Sequence, residues 1–223
     1  MTKIAMVSMS YYPNDPRIRK QAECLTREGF SVDIICLRGP AEPKVEQLGR
    51  VRVYRKVKGR DKESVLTYLR LSALFMISAF LMLQKLTLRN RYQLLHIHNM
   101  PDYLVFVGIV QKILRIPIIL DLHDLSVELF ETKWPGRASP PVISIVRFAE
   151  KMSCRFADSV ITTSLGFRHK LINRGIRPDK ISLILNSADG RIFKKKSSRQ
   201  FRKIRQGAQL LYHGSIAERF GLL

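Results

Sequence analysis

Residues 3–39, "KIAMVSMSYYPNDPRIRKQAECLTREGFSVDIICLRG", carry the pattern that decides the fold. Lys3 to Met9 is a short apolar run closed by the turn-rich "YYPNDP". Asn14 or Asp15 can cap a helix that Pro16 opens, Ile18, Ala22 and Leu25 recur at steps of four and three, and Gly29 ends it. The β-branched run "FSVDIICL" follows, closed by Gly39 and Pro40. Strand, helix, strand in this order predicts a βαβ unit, which builds parallel sheets.

Downstream the alternation continues. "VRVYRKV" (51–57) sets Val51, Val53 and Val57 against basic residues, predicting a half-buried strand with one wet face. "YQLLHIHNM" reads as a strand, "PDYLVFVGIVQKIL" (101–114) as a helix, and "IPIILDLHD" (116–124) as a strand apolar enough to be covered on both faces. An irregular stretch with Trp134, Pro135, Pro140 and Pro141 precedes a helix near 141–157. "DSVITTS" then reads as a strand, "LGFRHKLINRG" as a helix ended by Gly175, and "KISLILN" as a strand. No repeat period appears. The prediction is a doubly wound α/β domain with a Rossmann-like parallel sheet.

The 223 residues are 46% hydrophobic and 26% charged, which is globular composition. Lys and Arg outnumber Asp and Glu by 39 to 18, a net charge of +21. Such a surface attracts polyanions, anionic lipid headgroups or phosphorylated substrates. Cys24, Cys36 and Cys154 have no CxxC spacing, so neither a disulfide framework nor a zinc site is expected, and a reducing cytoplasm is. The first apolar run is too short and broken for a secretory leader. The most apolar stretch, Val65 to Leu88, has its uncharged core between Arg70 and Lys85. That core falls short of the ~18 residues of a spanning helix, so a buried or membrane-resting helix is expected. Arg191 to Arg205 carries eight basic residues and no acidic one, an exposed connection, after which "QLLYHGSIAERFGLL" begins a new strand, turn and helix. The expected organisation is a domain over 1–190, a basic linker over 191–205, and the opening of a second domain over 206–223.

Open parallel sheets bind ligands beyond the carboxyl ends of their strands. The polar groups here gather at such ends: "SMSYYPNDPR" after the first strand, His96, His98, Asn99 and Asp102 after the next central one, Asp121, His123 and Asp124 after the run at 116–124, Ser164, and Asn186. A buried strand tolerates an ionisable cluster where it emerges into a cleft. His96 and His98 fit packed, hydrogen-bonded imidazoles as well as ligand contacts, while flanking acids single out His123. Asp124 and Glu128 can charge the start of a following helix. HxH and HD pairs alone do not make a metal site, and no P-loop, GxGxxG or GxSxG motif is present.

Five segments together, "YYPNDPRIRKQAECLTREGFSVDIICL", "LLHIHNMPDYLVF", "IILDLHDLSVELF", "RFAEKMSCRFADSVITTS" and "KISLILNSADGRIF", resemble the N-terminal domain of a family 4 glycosyltransferase across nearly the whole chain. The resemblance implies a GT-B fold, with an acceptor-side N-terminal domain facing a donor-side C-terminal domain. It further implies retaining, metal-independent sugar transfer without a cofactor, from a UDP- or GDP-sugar to a glycan or lipid-linked acceptor. His123 matches the family's cleft histidine. Asp15 and Arg17 match its substrate-side loop and Asn186 the residue after the last strand; His98, Asn99, Asp102, Asp121, Asp124 and Ser164, gathered at strand ends, are expected to bind substrate beside them. "YHGSIAERFGL" resembles the donor-diphosphate segment, with Gly214 in its turn and Arg219 as the cation. Many relatives have a Gly-Gly pair where this chain has "YYPNDPR". The family's paired glutamates do not occur before Leu223, so the chain is expected to be inactive alone, its donor domain missing or on a separate chain. The setting implied is cell-envelope polysaccharide synthesis, cytoplasmic, with peripheral contact on the inner membrane face. The alternatives are a basic nucleic-acid-binding α/β protein, which lacks any recognised binding module, and a non-catalytic partner of a split glycosyltransferase.

Overall fold

The computed structural model describes residues 2–59, 64–188, 190 and 212. The chain divides into two compact units, Met1–Asn186 and Ser187–Leu223, and every described strand and helix belongs to the first. The expected linker and second-domain segment, with Gly214 and Arg219, lie outside the described residues apart from Tyr212.

The opening stretch folds as its pattern dictates. Strand β1 (Lys3–Tyr11) leads into helix α1 (Pro16–Arg27), and β2 (Ser31–Arg38) returns parallel to β1. Asp15 caps α1, its carboxylate accepting from the Arg17 N–H, and Pro16 occupies the first turn. Gly29 leaves the helix at φ +90°, a conformation glycine adopts without penalty.

The remaining elements are β3 (Val45–Leu48), β4 (Val51–Lys58), α2 (Val65–Thr87), β5 (Tyr92–His98), a 3-10 segment (Asp102–Gly108) running into α3 (Ile109–Ile113), β6 (Ile118–Leu122), α4 (Ser126–Lys133), α5 (Pro140–Phe156), β7 (Ser159–Thr162), α6 (Leu165–Asn173) and β8 (Ile181–Leu183). They form one eight-stranded sheet in the order β3-β4-β2-β1-β5-β6-β7-β8. All neighbours are parallel except the β3–β4 pair. Strand order reverses between β1 and β5, which places the switch-point crevice beside the carboxyl ends of β1, β5 and β6.

Strand alternation sorts the core onto two faces. Ile4, Met6, Val32, Ile34, Val51 and Val53 pack with Ile18 and Ala22 of α1. Ala5, Val7, Ile35, Leu37 and Tyr54 point the other way, onto Leu71, Phe75, Ala79 and Leu83 of α2. Burial of this kind contributes about 25 cal/mol per Å² of apolar surface, so the two-sided cover of the central strands is the main stabilising contribution.

Three expectations change. The strand at 51–58 has no wet face in its middle, because α2 covers one side and Arg55, only 3% exposed, is neutralised by Glu42 at 3.2 Å and Glu46 at 2.7 Å. The expected 101–114 helix is mostly 3-10, pressed so tightly on the sheet that a Cβ at Gly108 would stand 2.6 Å from Leu95 Cδ2. The irregular stretch begins with helix α4. Helix α2 is long and apolar enough to cross a membrane by length and composition, yet one stripe of it is packed on the sheet.

Candidate functional site

Register builds the site. Ser8 of β1 pairs with His98 of β5, and His98 pairs with Asp121 of β6, so the carboxyl-terminal parts of three adjacent strands meet at one edge. His96 and His98, two apart on one strand, share a face, and their rings stack with centroids 4.2 Å apart. His123, just past the end of β6, extends the stack, its ring lying within 5° of parallel to that of His98.

Asp121, fully buried, anchors this stack. Its Oδ2 accepts from Gln21 Nε2 of α1 at 2.7 Å and faces His96 Nε2 at 3.5 Å, His98 Nδ1 at 3.4 Å and His123 Nε2 at 3.7 Å. His98 Nδ1 and His123 Nε2 lie 3.2 Å apart. Burial alone would raise the Asp121 pKa, but the imidazoles of His96 and His98 outweigh it and hold the carboxyl well below the usual range. Burial, reinforced by the neighbouring His96, pushes His98 down to about 3. Burial likewise lowers His123, against the opposing pull of Asp121. At neutral pH the centre is therefore a carboxylate beside the neutral rings of His98 and His123.

Asn99 ties the strand ends together. Its Oδ1 accepts the His123 backbone N–H at 2.8 Å, and its Nδ2 donates to Asp102 Oδ1 at 2.9 Å and to the Asp124 carbonyl at 2.6 Å. Asp102, buried and pushed upward by that burial, also accepts from Ser126 Oγ at 2.5 Å. The first loop closes the other side. Asp15 and Arg17 form a two-point pair, and Arg17 Nη1 reaches Asp124 Oδ2 at 3.8 Å. The Arg17 pair outweighs the effect of burial and lowers the Asp15 pKa. Ser10, Tyr11, Asn14, Asp15, Pro16 and Arg17 line an adjoining cavity of about 330 Å³.

Of the residues singled out from sequence, Asp15, Arg17, His98, Asn99, Asp102, Asp121, His123 and Asp124 thus form one connected set. Ser164 caps α6 through the Phe167 N–H, and it is its neighbour Thr163 whose hydroxyl donates to the His123 carbonyl. Asn186 is exposed beyond β8. Glu128 turns away to Arg174 at 2.6 Å and Lys170 at 2.9 Å, fastening α4 to α6. Sequence reasoning missed Gln21, whose only signal is its place on the inner side of α1, one residue before Ala22. His96, His98 and Asp121 offer ligand atoms within 4.8 Å of one another and are the residues that could hold a metal ion. His96 Nε2, His98 Nε2, Asp121 Oδ1 and His123 Nδ1 are buried without a hydrogen-bond partner in the protein.

Residues 15–187 match the glycosyl transferase 4-like domain model, and the chain belongs to that family. Its sheet is the Rossmann-like N-terminal half of a GT-B glycosyltransferase. Sucrose-phosphate synthase from Thermosynechococcus elongatus superposes with a TM-score of 0.63 at 20% identity, covering 86% of this chain and 50% of that one. UGT2 of Phytolacca americana, complexed with UDP-2fluoro-glucose and pterostilbene, gives 0.55 at 13% identity, covering 86% of this chain and 56% of that one. The chain therefore spans about half the length of these structures. No curated protein matches it in sequence.

Proposed function

We propose that the chain is the acceptor-side half of a retaining glycosyltransferase that moves a sugar from a UDP- or GDP-sugar to a glycan or lipid-linked acceptor. The observation that carries this reading is His123, held at the switch-point edge with Nδ1 unpartnered. A hydrogen on His98 Nδ1, shared between Asp121 and His123 Nε2, puts the His123 proton on Nδ1, the atom left for a substrate hydroxyl. Because His123 is neutral at pH 7, it adds no positive charge beside an oxocarbenium-like sugar. His98 and Asp121 contact His123 Nε2 at 3.2 and 3.7 Å and act through it as positioning residues. Asp15 and Arg17 border the cavity that an acceptor would enter. Cations at the leaving diphosphate belong to the donor side, for which Arg219 is the candidate, in the same segment as Gly214.

The net charge of +21 and the exposed leucines of α2 support a peripheral seat on the cytoplasmic face of a membrane. The test is a radiolabelled transfer assay with membrane extract as acceptor and a panel of UDP- and GDP-sugars, run on the chain alone and joined to a donor-side domain. Transfer by the joined form, reduced about 10²- to 10³-fold by His123→Ala, is expected. Unchanged transfer by His123→Ala would remove His123 from the chemistry, and no transfer by the joined form would overturn the reading.

A further inference from the structure

At the opposite edge of the sheet, where the strands begin, lies a second cavity of about 370 Å³. Arg52 enters it from the start of β4, Lys85 from the last turn of α2, and Arg89 with Asn90 from the turn before β5, over apolar walls that include Tyr54, Met82 and Leu86. The Arg52 guanidinium sits 5.6 Å from the Tyr54 ring centroid, which fixes it against one wall. Lys85 is placed where a helix dipole favours a cation, but that accounts for only one of the three.

Among the described residues, none of these cations forms an ion pair with an acid. Asp33, the acid buried at this edge, is already taken by Lys3 at 2.9 Å and by the Tyr92 hydroxyl. Further positive charge crowds in: burial and then the proximity of Lys85 and Lys44 depress the Lys56 pKa. Like charges gathered from three chain segments around one hollow cost free energy unless an anion joins them. Two guanidinium forks and an ammonium suit a tetrahedral phosphate oxyanion.

The setting narrows the source of that phosphate. Leu66, Leu69, Leu74, Ile77 and Leu81 leave an exposed apolar row along α2, each about half or more in solvent. Lys85 follows Leu81 by one helical turn, so the row runs directly to the cavity's rim. A soluble phosphate ester has no use for that row, whereas a phospholipid presents an anion and hydrocarbon at this spacing of depth.

We propose that this cavity binds the headgroup phosphate of an anionic phospholipid while the apolar row of α2 rests in the acyl boundary. The inference deepens the peripheral-membrane reading above and rests on it. It places the membrane contact at the amino-terminal edge of the sheet, away from the histidine cluster.

The experiment is flotation of the 223-residue chain with vesicles of phosphatidylcholine alone or containing phosphatidylglycerol. Binding is expected only with phosphatidylglycerol, and the Arg52→Gln/Lys85→Gln/Arg89→Gln variant should lose it by on the order of a hundredfold. Removal of three charges elsewhere, Arg27→Gln/Arg115→Gln/Arg177→Gln, should change it by less than about threefold. Arg52→Lys/Arg89→Lys keeps the charge but not the forks, and a loss of about fivefold separates a built pocket from a diffuse basic patch. Equal losses for the two triple variants, or none for the lysine pair, overturn the pocket while leaving membrane binding intact. Displacement from vesicles by millimolar glycerol phosphate would assign the cavity to a soluble phosphate and overturn the lipid. No binding of the unaltered chain to phosphatidylglycerol would overturn the membrane reading itself.

Discussion

The two edges of the sheet handle charge in opposite ways. At the carboxyl edge one carboxylate, Asp121, is sealed beneath three imidazoles and an amide, and almost every charge has a partner within the fold. At the amino edge Arg52, Lys85 and Arg89 ring a cavity from exposed positions, with no acid among the described residues paired to them. Buried polar groups hold a fold together through the atoms that are partnered, here Asp121 Oδ2 and both ends of Asn99, while His96 Nε2, His98 Nε2, Asp121 Oδ1 and His123 Nδ1 are left without a protein partner. Exposed cations cost little apart, since water screens them. The carboxyl edge is thus built to fix geometry, and the amino edge to meet something from outside.

This contrast can be broken most directly at Asp121. Asp121→Ala strands Gln21 and the imidazole N–H groups in the core, and should lower unfolding free energy by about 3–5 kcal/mol in urea titration. A loss below about 1 kcal/mol would mean that the cluster is not held by its carboxylate.

Acid probes the same edge. His98 has its pKa lowered by burial from 6.5 to about 3, so in that interval the unfolded chain binds a proton that the folded chain refuses. Stability therefore falls as pH drops from 6.5 towards 3, by on the order of 4 kcal/mol, and is independent of this group above 6.5. His98→Gln should flatten that slope, leaving the shallower share of His123, which shifts in the same direction. An unchanged slope would assign the acid sensitivity elsewhere.

Asn99→Ala removes the acceptor for His123 N–H and both donors that hold Asp102 and Asp124. About 2 kcal/mol of stability should go with it, and transfer by the donor-joined form should fall through misplacement of His123. Gly108→Ala sits away from the charges and tests packing alone. Its methyl must displace Leu95 and Ile118 side chains, at a cost of about 1–2 kcal/mol.

Much of this was legible in the sequence. Apolar alternation and the Asp15–Pro16 start located β1, α1 and β2, and the rule that ligands sit beyond strand ends pointed to the residues that now form the cluster. What escaped depends on contacts between distant segments. Nothing local says that Arg55 will meet Glu42 and Glu46, and so the strand at 51–58 looked half wet. "VEQL" at 45–48 is too short to signal the edge strand that pairs with it. The spacing of His96 and His98 shows a shared face, but that Asp121 lands opposite His98 is a matter of register between β5 and β6. Glu128 reads from sequence as a charge at a helix start, which it is in α4, but nothing local says that it meets Arg174. The 3-10 segment at 102–108 carries helical apolar spacing, and only the close approach of Gly108 to the sheet explains its tighter winding.

The smallest effect sharpens the comparison most. Lys85→Gln and Arg89→Gln each remove one charge, as Asp121→Asn does, but from side chains that are exposed and unpaired. Neither should change the unfolding free energy from urea titration by more than about 0.5 kcal/mol. A slight gain is the expected sign for Lys85→Gln, because its removal relieves the repulsion that Lys85 exerts on Lys56. A loss of 2 kcal/mol or more would show that the basic rim is tied into the fold as firmly as the histidine cluster. The distinction between an edge that holds itself and an edge that waits for an anion would then collapse.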